Sequence, residues 1–207
     1  MAVPEAAREW ELVYDLDLTT PNGGRIDYGV DRSGALAGSD FNRVAYFLEL
    51  GNGAGGVDWV WVAMDAFTDD PGKIGVPTSG SGAMWQTGVT GMEVRSNTER
   101  VRSGEGLVGN LEFWPHNYSP ANEAGVAGAD AGVFDFGDTP GEPRDGYGSM
   151  QVHDTAGKRT VFAFNRWKGG VGADLGIGNS DGQTRDWTFK GNAASYWHRR
   201  LRVFVRE

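Results

Sequence analysis

Apolar residues recur at every second position along most of this chain. Trp10, Leu12, Tyr14, Leu16 and Leu18 fall on one face of a strand, with Glu11, Val13, Asp15 and Asp17 on the other. Ile26, Tyr28 and Val30 repeat the pattern. Residues 43–50 and 58–65 are dense enough in apolar side chains to be central strands buried on both faces. Further strands are expected over 86–95, 110–114, 133–136, 147–153, 160–167, 185–189 and 199–206, separated by clusters of Gly, Pro, Asn and Asp. Only 4–11 and 122–131 have room for a helical turn or two. The pattern predicts an all-β chain: one antiparallel β-sandwich of jelly-roll type over residues 1–207, with a barrel as the alternative. The long loops 66–84 and 115–132 are candidates for function.

Glycine makes up 33 of 207 residues, but without a collagen period, and 8 Trp, 10 Phe and 6 Tyr are too much aromatic mass for a disordered chain. The charge balance is 28 acidic against 19 basic residues, net −9. Such a body repels phosphate backbones, so nucleic acid is not an expected partner. With no cysteine there is no disulfide, thiolate metal site or cysteine nucleophile. The longest apolar run, Trp59 to Met64, is far short of the ~20 residues a spanning helix needs, so no membrane partner is expected. The start, Met-Ala-Val-Pro-Glu, has neither a basic region nor an apolar stretch. The chain therefore reads as cytoplasmic or as a mature fragment lacking its leader.

Two glycine motifs are better read as turns. Gly51 to Gly56 is followed by Val-Asp-Trp-Val-Trp, a strand, where a dinucleotide fingerprint requires a helix. Gly178-Asn-Ser-Asp-Gly182 matches the nucleophile-elbow string, but a strand-like segment follows it and its composition is that of an ordinary turn. No cofactor is required by any motif. Asp15 with Asp17, and Asp69 with Asp70, leave a structural Ca²⁺ open, although no calcium-loop spacing is present. The three histidines, His116, His153 and His198, are not spaced for zinc.

The segment 147–153 pairs most favourably with 160–167 when partner numbers sum to 314. Met150 and Val152 then share a face with Phe162 and Phe164. The opposite face presents Tyr147, Gln151, His153, Asn165 and Trp167. Aromatic rings cover the C–H faces of a pyranose, while amides and imidazole bond its hydroxyls, so this face suits sugar; the equal alternative is that these residues lie under a loop and satisfy one another. Trp114, His116 and Tyr118 are candidate walls of the same site, with loop anchoring as the other reading. For Trp85 and Trp197, core packing is the expectation.

Four strings, 43–50, 61–68, 110–118 and 146–153, resemble a bacterial domain appended to proteins named as sialate O-acetylesterases and to related polysaccharide-degrading enzymes. The likeness runs from about residue 9 to the C-terminus and includes 172–179. The esterase's own Gly-Asp-Ser and Asp-x-x-His motifs do not occur. The resemblance therefore implies a non-catalytic carbohydrate-binding accessory module, extracellular or periplasmic and attached to a catalytic domain. Gln151-Val152-His153 is also similar to the Gln-[Ile/Val]-His motif of jelly-roll alginate lyases. That likeness implies a uronate lyase with His153 or Tyr147 as base, and Gln151 and Arg95 neutralising the carboxylate. The lyase family's Tyr-x-Lys-x-Gly-x-Tyr-x-Gln strand is missing. A third reading is a structural module that docks on a catalytic domain.

Overall fold

The computed structural model describes residues 5–17, 28–76, 85–114, 148–157, 159–166, 173–178 and 195–207. They form ten strands: β1 Glu11–Asp17, β2 Val30–Asp31, β3 Arg43–Gly51, β4 Val57–Asp65, β5 Trp85–Ser96, β6 Gly104–Trp114, β7 Gly148–Asp154, β8 Arg159–Arg166, β9 Ala173–Ile177 and β10 Arg199–Arg206. The chain is all-β and antiparallel, as the alternation requires. The strands lie in one sheet, in the order β2-β1-β10-β3-β4-β5-β6-β7-β8-β9. This is a meander with the last strand inserted between β1 and β3. Jelly-roll crossovers do not occur among the described strands.

The sheet rolls onto itself. Tyr46 on β3 meets Phe162 on β8 with ring centroids 6.1 Å apart, although four strands separate them along the sheet. The inner face holds the main core, including Leu16, Leu48, Val62, Met92, Leu111, Phe113, Val152, Phe164, Leu175 and Leu201. A smaller cluster covers part of the outer face, where Trp10, Phe47, Trp61 and Phe204 pack with Ala45 and Ala63. Trp10 meets Trp61 edge to face at 5.3 Å. In the N-terminal segment 4–11, expected to hold a helical turn, the described residues form the 3-10 turn Glu5–Ala7, which lies over the cluster through Ala6 and Ala7. β3 is buried from Val44 to Gly51, as expected for a strand covered on both faces.

The β7–β8 hairpin adopts the register expected for it over most of its length: Met150 pairs with Phe164, Gln151 with Ala163 and Val152 with Phe162. A bulge then moves His153 opposite Thr160 rather than Val161. Strand β6 begins at Gly104, earlier than the alternation indicates, because Gly104, Gly106 and Gly109 hide the pattern. The expected strands 133–136 and 185–189 lie outside the described residues.

The rolled interior is closed at one end by the stretch 71–76. Three tyrosines hold it: Tyr14 donates to the Pro71 carbonyl at 2.9 Å, Tyr46 to that of Ile74 at 2.8 Å and Tyr28 to that of Val76 at 3.3 Å. The Val76 amide in turn donates to the Tyr28 hydroxyl at 2.7 Å. Burial raises the pKa of all three phenols, so they remain donors. Pro71, Ile74 and Val76 are buried beneath them, so this part of the long loop is a plug.

Strand β6 runs so close to β7 that a Cβ on Gly109 would overlap the His153 carbonyl oxygen and press on Met92. Gly109→Ala should therefore lower stability by about 1–3 kcal/mol or more, read as a lower midpoint in urea. The same change at Gly53, where a Cβ meets nothing within 4 Å, should leave the midpoint nearly in place.

Candidate functional site

Of the residues expected to bind sugar, Gln151 and His153 are well described, and they are closed off. Gln151 is 3% exposed and His153 0%. The His153 ring lies 2.7 Å from Asn110 Oδ1 through Nδ1 and 3.1 Å from Gln151 Oε1 through Nε2. Burial pushes the imidazole pKa down to about 3, so the ring is neutral and carries one N–H. Two amide oxygens facing a ring with one proton imply that one amide is turned. Asn110 is the better choice, because its Nδ2 otherwise has no hydrogen-bond partner. His153 then donates from Nε2 to Gln151 and accepts from Asn110 at Nδ1. These side chains bond one another under cover and offer no open face. Asn165 and Trp114 lie on β8 and β6. Tyr147, Trp167, His116 and Tyr118 lie outside the described residues.

The lyase constellation is not assembled by the described residues. Arg95 shares the outer face with His153, but His153 pairs with Asn110 and Asn110 with Gly88, seven residues along β5 from Arg95. At ~3.3 Å per residue that is about 23 Å. The Arg95 guanidinium is also engaged by Glu93 at 2.5 Å. Among the described residues, no group of three or more His, Asp or Glu could hold a metal ion. Asp15 is paired with Arg200 instead. Asp70 caps the 3-10 turn Pro71–Lys73 by accepting from the Gly72 amide.

The outer face carries a second polar group that the alternation does not reveal. Glu49 on β3 accepts from Arg202 on β10 at 2.6 Å, and both side chains are almost wholly buried. Arg202 also stacks over Phe47, 4.9 Å from its ring centre. His198 Nε2 stands 3.8 Å from the same Glu49 oxygen. This cluster anchors the corner where the chain enters β10.

At that corner stands Trp197, expected in the core but 58% exposed. Val108 is the only other exposed large hydrophobic residue among those described. A single exposed ring needs no function, but this one is held in place. A Cβ on Gly51 would fall 2.5–2.7 Å from three indole atoms, Cε2, Cδ2 and Nε1. Near-equal distances to three ring atoms mean that one face of the indole lies flat on the glycine. Its Nε1–H donates to the Asn52 carbonyl at 3.1 Å, which fixes rotation within the plane. The other face is left for solvent. The Asn52 side chain is fully used in the hairpin turn, accepting from the Ala54 and Gly56 amides and donating to Asp58 at 3.0 Å. Asp58 is bonded in turn by Arg100 at 2.5 Å. The result is an aromatic ring seated on backbone and bonded at its rim, beside a carboxylate–guanidinium pair with donors and acceptors to spare. The sequence sign of this site was the Gly-rich turn 51–56 lying opposite a Trp-His pair, which becomes visible only once β3 and β10 are known to be neighbours.

No protein-family model matches this chain, and no curated protein or solved structure matches it.

The His153 pKa, about 3 in the fold against ~6.5 when unfolded, gives a direct pH test. Above ~6.5 both states hold a neutral ring and nothing is lost. Below it the unfolded chain takes up a proton that the folded chain refuses, so stability falls as pH drops toward 3, by up to ~1.4 kcal/mol per unit. Urea midpoints measured from pH 7 to 4.5 should fall for the native chain, and His153→Gln should flatten that fall. Parallel curves would mean that the native imidazole is not held neutral.

Proposed function

We propose that this chain is a non-catalytic carbohydrate-binding module and that Trp197 is its platform. The observation that carries this reading is the indole clamped on Gly51 and Asn52 with a free face outward. A pyranose offers an apolar C–H face to such a ring and hydroxyls to its rim, where Asp58 accepts and Arg100 donates. A ring already fixed loses little freedom on binding, which keeps more of the modest contact energy as affinity. Net charge −9 disfavours a uronate polymer and favours a neutral glycan.

Gln151 and His153 then support the fold as buried, mutually bonded side chains rather than touching ligand. A secreted bacterial glycan-degrading system and an attached catalytic domain are the setting that the resemblance of 43–50, 61–68, 110–118 and 146–153 supports. Docking through an exposed apolar face has less support, since Val108 and Trp197 are the only large exposed apolar residues among those described.

The purified chain should be retarded in gels containing at least one neutral polysaccharide, and should generate no absorbance from an unsaturated uronate product. Trp197→Ala should reduce affinity tenfold or more, about 1.4 kcal/mol, with the urea midpoint little changed. Gly51→Ala keeps the indole but lifts it from its seat, and should weaken binding in the same direction. Retardation that persists in both variants would remove Trp197 from the site. Unsaturated product would replace the module with a lyase.

A further inference from the structure

The opposite end of the β3–β4 hairpin carries an open cleft, of about 740 Å³, between the start of β3 and the segment that follows β4. Phe41 and Phe67 line it, with Arg43, Asp65, Thr68 and Asp69. At its centre Asp65 is held by two donors: Arg43 Nη1 reaches Oδ1 at 2.6 Å and the Thr90 hydroxyl reaches Oδ2 at 2.7 Å. Thr90, and then Arg43, hold the carboxyl below its usual pKa range. The pair fits only because β5 bulges and Gly91 takes a φ of +57° there, so that no Cβ intrudes on the carboxylate or the guanidinium. The Asp65 side chain remains half exposed, so it keeps lone pairs for a ligand. The Arg43 Nε is buried without a hydrogen-bond partner.

We propose that this cleft is a second pyranose subsite, which makes the module bivalent for a neutral glycan. The inference rests on the glycan-binding reading above and adds a site to it. A carboxylate and a guanidinium side by side match a vicinal diol, one group accepting and the other donating. The two phenyl rings supply apolar surface for the sugar's C–H face. The volume lies within the ~300–1,000 Å³ usual for small-ligand sites. The cleft and Trp197 sit at opposite ends of β3, Arg43 and Gly51 being eight residues or about 27 Å apart. One trisaccharide cannot reach both, whereas one polymer chain or two neighbouring chains can. Bivalency of this kind raises avidity by ~10²–10⁴ without new contacts.

The test uses four neutral trisaccharides, maltotriose, cellotriose, xylotriose and mannotriose, titrated into the ¹⁵N-labelled full chain. A binding sugar should shift two separate groups of amides, one around 51–52 and 197–198 and the other around 65–69 and 90. Calorimetry should give two sugars per chain, and Asp65→Asn should leave one, still lost on Trp197→Ala. The mapping on the native chain stands even if Asp65→Asn fails to fold. Shifts confined to the Trp197 corner, with one sugar per chain, would overturn the second subsite while leaving the module reading intact. No shift with any of the four sugars at millimolar concentration would overturn both.

Discussion

Tyr46 and Phe162 touch across the interior of a sheet in which four strands lie between them. That contact stands for the constraint on which the structure depends. A long meander with a continuous apolar face cannot leave it in water, and no second layer is present among the described elements. The sheet therefore rolls until β4 meets β8 and β9. Rolling buries the inner face and draws the stretch 71–76 in to close one end. That closure is polar at its rim, where three tyrosine hydroxyls take backbone carbonyls that would otherwise lose water without return.

The outer face had no such uniform solution. Aromatic residues on β3, β4 and β10 gather under the N-terminal turn, and beside them Glu49 and Arg202 are buried as a bonded pair. Removing either partner would leave a charge without compensation, so the pair ties β3 to β10 in one register. The hairpin β3–β4 is buried on both sides over most of its length. Its two ends are then well supported places to hold a side chain outward. One end carries the indole seated on Gly51, and the other the Asp65–Arg43 pair made possible by Gly91. In both, a glycine makes room for the group that faces solvent.

Local patterns were legible where one strand face is apolar and its neighbour follows after a short turn. Met150, Val152, Phe162 and Phe164 could be aligned from their numbers alone, since a slip of one residue would have turned the phenylalanines toward polar partners. The same logic failed one residue later, because a bulge at Val161 leaves no trace in alternation. For Gln151 and His153 it left two readings open, a sugar-facing surface and burial with the residues satisfying one another, and the fold takes the second. These side chains are covered and bond one another and Asn110.

Strand class, antiparallel pairing and the β3–β4 hairpin follow from period two and from the Gly-rich turn 51–56, because both are properties of neighbouring residues. The placement of Trp197 does not. Whether that indole sits in the core or on the surface depends on β10 crossing back to lie against β3, from the far end of the chain. Long-range pairing put Gly51 beneath the ring and Glu49 beside His198. The roll of the sheet, driven by burial of its apolar inner face, set which surfaces would remain open to solvent.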